Sequence, residues 1–206
     1  PLSGKVISEV IGFENAVGVF RCQEIGHNEL GISGWIQGTG YTGEAGVEIF
    51  VSNEQAPILW DALNAHPSST PVGLGARDTL RMEKGYLLSG QDFLWPGISV
   101  SSEGLPDGFL SRTTYETSVP FGLDLSHDFI GRDALIESME GGTRLWGMQC
   151  IERGPSPRPG HQIFSGPDDD SKIVGYVTSG GPSPSLGIKG IALGYLENYE
   201  EGQDVW

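Results

Sequence analysis

The stretch Gly40-Tyr41-Thr42-Gly43-Glu44-Ala45-Gly46-Val47-Glu48 runs straight into Ile49-Phe50-Val51 and limits this chain more than any other. Three glycines in seven residues permit positive φ and a close approach of backbone to a ligand. The residues after them alternate: Val47, Ile49 and Val51 fall on one face of a strand, Glu48 and Phe50 on the other. Glu48 is thereby a carboxylate on a rigid element beside a pliable turn. A flat ligand with two adjacent N–H donors fits such a turn, its edge on Glu48 and its face on Tyr41, because a carboxylate accepts paired donors well. A β-hairpin with Glu48 pointing into water satisfies the same pattern.

A second block, Gly73-Leu74-Gly75-Ala76-Arg77-Asp78-Thr79-Leu80-Arg81-Met82-Glu83-Lys84-Gly85, reads as a helix from Ala76 to Lys84 stopped by Gly85. Arg77 lies in its first turn, where a cation opposes the helix dipole. That position asks for a compensating anion, with Asp78, Glu48 or a ligand as candidates. Arg81, one turn on, is expected to pair with Asp78 or another carboxylate on the helix surface.

Together the two blocks resemble the folate-binding core of the glycine-cleavage T-protein, an aminomethyltransferase, and of its tetrahydrofolate-using relatives. The likeness continues through Leu88-Ser89-Gly90-Gln91-Asp92 and Asp128-Phe129-Ile130-Gly131-Arg132-Asp133-Ala134-Leu135, and again at Val177-Thr178-Ser179-Gly180-Gly181-Pro182-Ser183-Pro184-Ser185-Leu186. The resemblance implies that Glu48, Tyr41 and Arg77 hold the pterin of tetrahydrofolate. It also places Phe121 where the family often has a tryptophan, a change that keeps the stacking face and loses the indole N–H. The implied reaction moves a one-carbon unit from the aminomethyl-lipoyl arm of the H-protein to tetrahydrofolate and releases ammonia. The implied reacting aspartate belongs to an N-terminal part with no counterpart here. The expectation is therefore a fragment with no catalytic residue of its own, inactive in transfer by itself. A demethylase of the sarcosine or dimethylglycine type, a noncatalytic folate-binding protein of the same fold, and a structural remnant remain open.

In chain order, the apolar positions 6, 7, 10 and 11 predict a helix over 4–11, and alternation predicts strands over 17–24 and 31–37. After the strand 47–51, a helix over 54–65 is expected to bury Ile58, Leu59, Ala62 and Leu63. Residues 93–112, rich in Gly, Pro and Ser, read as a long inserted loop. A loop and helix over 128–137 should bury Ala134, Leu135 and Ile136. Short strands follow at 145–151, 163–164, 173–179 and 188–196, separated by turn residues as in a small barrel or sandwich. The fold class is α+β: a mixed folate-binding core over 1–125, then a small antiparallel β-barrel over 126–206. The segment 177–186 either lines the entrance for the lipoyl arm or is simply a turn built from Gly and Pro.

Composition narrows the partners. The 206 residues carry 27 acids against 12 bases, a net charge of −15, which repels nucleic-acid phosphates and anionic membranes. The same field repels the glutamate tail of a folate unless cations supply a local positive site. So acidic a chain with few lysines fits either a salt-adapted organism or an ordinary acidic cytoplasmic protein. No apolar run approaches the roughly 18 residues of a membrane span, and no signal peptide is visible. Cys22 and Cys150 match no metal spacing and read as two buried thiols in a reducing, cytoplasmic setting. Asp168-Asp169-Asp170 reads as a solvated turn, and no metal site is expected.

Overall fold

The computed structural model describes residues 2–13, 17–95, 102–119 and 123–206. Contacts divide the chain into two compact units, Pro1–Lys84 and Gly85–Trp206.

In the first unit, helix α1 (Ser3–Ile11) ends on Gly12 in the left-handed conformation, and its Val6, Ile7 and Ile11 are buried. Three strands follow, β1 (Cys22–Ile25), β2 (Gly34–Gln37) and β3 (Glu48–Val51), forming an antiparallel sheet in that order. Helices α2 (Ala56–Ala65) and α3 (Leu74–Lys84) complete the unit. The core gathers Ile7, Ile11, Ile25, Ile32, Ile36 and Leu59, with Val47, Ile49, Val51 and Leu63 packed against them. Each buried side chain of this size contributes roughly 1.5–3 kcal/mol. That gain fixes the register, because a one-residue slip of β3 would put Glu48 into the core. The observed register pairs Gln37 with Glu48 and Ile36 with Ile49.

Several expectations need correction here. The strand predicted over 17–24 shrinks to Cys22–Ile25, preceded by a single bridge from Val19 to Gly38. Phe20, at φ 57, breaks the extended run. On α2, Leu59 is buried but Ile58 is 46% exposed, so the apolar stripe is narrower than its periodicity suggests. Cys22 is exposed and Cys150 only half-buried, not the two buried thiols expected. The pleat explains Cys22: Ile25, three residues on, points inward, so Cys22 points out.

In the second unit, helix α4 (Arg132–Ser138) buries Leu135 alone, while Ala134 and Ile136 are exposed, contrary to expectation. Strands β4 (Thr143–Gln149), β5 (Gln162–Phe164), β6 (Ile173–Ser183) and β7 (Lys189–Glu197) make an antiparallel sheet in the order β4-β7-β6-β5. Ile163, Val177, Ala192 and Leu196 form its core, with Trp146 and Met148 against them. The described ends of the 93–112 segment are tied together, with Leu94 bridged to Ser111 and Leu110 buried.

A register shift in β6 between Val177 and Ser179 carries the most consequence in this unit. Successive residues of a regular strand point to opposite faces, whereas an extra residue lets neighbours share one. Here Thr178 and Ser179 both donate their hydroxyls to Asp92 Oδ1, each at 2.6 Å. The Leu88 amide donates to Asp92 Oδ2 at 2.9 Å, and Gln91 Nε2 donates to Ser179 Oγ at 2.9 Å. Asp92, Thr178 and Ser179 are fully buried. Two stretches far apart in sequence, Leu88–Asp92 and Val177–Leu186, are thus joined through one carboxylate. Ser183 is fully buried as well, so these three hydroxyl side chains face the interior of the unit.

Candidate functional site

The glycine turn 40–46 and α3 both lie in the first unit. Gly43 adopts φ +76, and a Cβ built on it would lie 2.5 Å from Cγ and Cδ of Lys84. Only glycine fits, since both the dihedral and the space exclude a side chain. The turn is braced by Ser3 Oγ, which donates to the Ala45 carbonyl at 2.8 Å, and by the Glu44 amide, which donates to Thr42 Oγ1 at 3.3 Å.

α3 begins at Leu74, two residues before the expected start, and ends at Gly85 with φ +79. Its middle cation behaves as its spacing predicts: Arg81 Nε and Nη2 donate to Asp78 Oδ1 at 2.7 and 2.6 Å. The Arg81 side chain is fully buried, a cost that a guanidinium meets only when its donors are occupied. Asp78 is thereby engaged with Arg81.

Of the four predicted site residues, the structure brings two together. The Arg77 guanidinium lies over the Tyr41 ring, 4.5 Å from its centroid, a cation–π geometry in which the ring quadrupole attracts the charge. Among the described residues Arg77 makes no ion pair with an acid, Asp78 and Glu48 included. Glu48 is exposed and accepts a short hydrogen bond from Thr39 Oγ1. No direct bond links Glu48 to Arg77 among the described residues. Phe121 lies outside the described residues.

Sequence reasoning missed Thr39 and Lys84. Lys84 was visible in principle, because it stands seven residues after Arg77 and therefore on the same helical face. Thr39 gave no signal until the Gln37–Glu48 pairing fixed the register. Among the described residues no cluster of His, Cys, Asp or Glu has the geometry to hold a metal ion. A half-open cleft of about 750 Å³ opens in the second unit, beside Cys150, Ile163 and Trp206. Tyr41, Glu48 and Arg77 are not among its lining residues.

A family model described as the GCVT N-terminal domain matches residues 1–96, and the glycine cleavage T-protein C-terminal barrel domain matches residues 143–205. The chain belongs to the glycine cleavage T-protein family. T-protein relatives agree. A probable aminomethyltransferase of Natronomonas pharaonis is 42% identical over 168 residues, covering 81% of this chain and 41% of that one. An aminomethyltransferase of Staphylococcus carnosus is 38% identical over 173 residues, covering 81% of this chain and 42% of its own length. The crystal structure of the glycine cleavage system aminomethyltransferase T from Bartonella henselae superposes with a TM-score of 0.73 at 27% identity, over 98% of this chain and 51% of that one. The chain thus spans about two fifths of the curated T-proteins it matches. No helix among the described residues is long and apolar enough to cross a membrane.

Proposed function

We propose that this chain supplies the tetrahydrofolate-binding part of a cytoplasmic aminomethyltransferase of the glycine cleavage system. The reaction moves a one-carbon unit from the aminomethyl-lipoyl H-protein to tetrahydrofolate and releases ammonia. The observation that carries the reading is Arg77, a cation stacked on Tyr41 with no acid partner among the described residues of a chain with 27 acids. What marks Arg77 is its place: a guanidinium over an aromatic ring at a glycine turn presents a stacked cation to a flat ligand.

The residues present fit the substrate. Glu48 offers two carboxylate oxygens to the paired N–H donors on the edge of a pterin. The Tyr41–Arg77 stack offers an aromatic and a planar cation to the ring system, and Gly43 lets the backbone of the turn approach it. Tetrahydrofolate, when bound, supplies the amine that accepts the one-carbon unit. The contribution of this chain is to hold that substrate in one orientation, and orientation accounts for a large share of such rate enhancements. None of these residues is assigned a proton transfer.

The test is calorimetric titration of tetrahydrofolate into the full chain and its Glu48→Gln and Arg77→Ala variants. Binding weakened at least tenfold in each variant is expected. Absence of binding, or equal affinity in all three proteins, overturns the reading.

A further inference from the structure

The three cations of α3, Arg77, Arg81 and Lys84, are spaced i, i+4 and i+7, and so share one face of the helix. Their environments differ. Arg81 is buried and paired with Asp78. Arg77 rests on Tyr41. Lys84 is exposed, its stem lies against Gly43 closely enough to exclude a Cβ there, and it has no carboxylate within ion-pair distance among the described residues. Arg77 and Lys84 thus lie on one face of one helix, both against the same glycine turn, and neither is neutralised by an acid among the described residues.

We propose that Lys84 is a specificity-determining residue that recognises the carboxylate-bearing end of the ligand, while Arg77 and Tyr41 hold its ring end. The inference rests on the folate reading above and extends it from the ring to the charged tail. Seven residues of helix separate the two cations by about 10 Å along the axis, so the ligand must carry a flat heterocycle at one end and an anion farther along. Packing on Gly43 gives the Lys84 stem a fixed course, which lowers the entropy lost when its ammonium engages an anion. The surrounding negative field makes the same contact selective: without a local cation the chain repels a carboxylate tail. Gly43 thus has a second purpose beyond its dihedral, since any side chain there would push Lys84 off the turn.

The experiment compares two probes on the full chain in about 0.1 M salt: tetrahydrofolate, and 6-methyltetrahydropterin, which has the ring but no glutamate. Lys84→Gln is expected to weaken tetrahydrofolate about fivefold, the scale of one exposed charge pair. Lys84→Glu should weaken it further, and Lys84→Arg should restore it to within about twofold of wild type. All three variants should bind 6-methyltetrahydropterin as wild type does. Unchanged tetrahydrofolate affinity in Lys84→Gln, with Arg77→Ala and Glu48→Gln still weakened, overturns this inference and leaves the folate reading standing. Equal weakening of both probes also overturns it, because the lysine would then only shape the turn. If the wild-type chain binds neither probe, both readings fall.

Discussion

Replacing Asp92 with alanine should destabilise the second unit selectively. The carboxylate is fully buried and accepts from the Thr178 and Ser179 hydroxyls at 2.6 Å and from the Leu88 amide at 2.9 Å. Hydrogen bonds to a charged group contribute about 1.5–3 kcal/mol each, and a buried donor left without a partner costs about 1–3 kcal/mol. Not all of that is lost, because the Thr178 hydroxyl also lies 3.3 Å from the Leu193 carbonyl and can turn to it. At least the Leu88 amide then loses its acceptor along with the charge-assisted bonds, and the expected loss is about 3 kcal/mol, in the range seen when one member of a buried network is removed. Asp92→Asn, which keeps one acceptor oxygen and the volume, should lose about half as much. Native-state hydrogen exchange is the assay, because it reports each unit separately. Amides of β6 and β7 should exchange about a hundredfold faster or more in Asp92→Ala, while those of β1 to β3 should not change. A triple variant that adds Thr178→Val and Ser179→Ala should lose less than the sum of its parts, by at least about 1 kcal/mol. Additive losses, or a loss below about 1 kcal/mol in Asp92→Ala, would refute the network.

Other consequences follow from single sites. The Tyr195 hydroxyl is buried with no hydrogen-bond partner among the described residues, and burial pushes its phenol well above the ordinary tyrosine range. The unfolded chain therefore releases that proton first, so stability is full below about pH 10 and falls as the pH rises above it. Tyr195→Phe should be neutral or stabilising by up to about 1 kcal/mol at pH 7 and should flatten the alkaline limb of a stability–pH curve; a destabilised variant would show a partner for the hydroxyl. Gly34 sits at φ +148, and a Cβ there would lie 2.0 Å from the Phe50 carbonyl oxygen. Gly34→Ala should therefore part β2 from β3 at a cost of at least about 2 kcal/mol, read from urea midpoints; a midpoint like wild type would contradict the close approach. With a net charge of −15, raising salt from about 0.1 to 1 M shortens the screening length from about 10 to 3 Å and should raise the melting temperature. A temperature that falls instead would mean that attractive pairs dominate the surface.

What the sequence disclosed was mostly local. Glycines at 12 and 85 end α1 and α3 where a left-handed residue is needed, and the alternation from Val47 to Val51 sorts Ile49 inward and Glu48 outward. The Arg81–Asp78 pair follows from their three-residue spacing on a helix. Features that depend on distant contacts stayed hidden. Asp92 reads as one more acid until a bulge in β6, 86 residues later, turns two hydroxyls toward it. Arg77 reads as a cation seeking an acid, yet it settles on the Tyr41 ring, while Asp78 pairs with Arg81 and Glu48 accepts from Thr39. Ile58 fits an amphipathic stripe but stays outside, since periodicity gives a face without saying how much of it the sheet covers. Phe20 alternates correctly in sequence while its positive φ ends the strand.

The most direct measurement of the central claim is a structure of the full chain soaked with tetrahydrofolate. The account predicts the amino edge of the pterin within hydrogen-bond distance of the Glu48 carboxylate, with the ring against the Tyr41–Arg77 stack. A pterin bound elsewhere, with Glu48 still held only by Thr39, would contradict it.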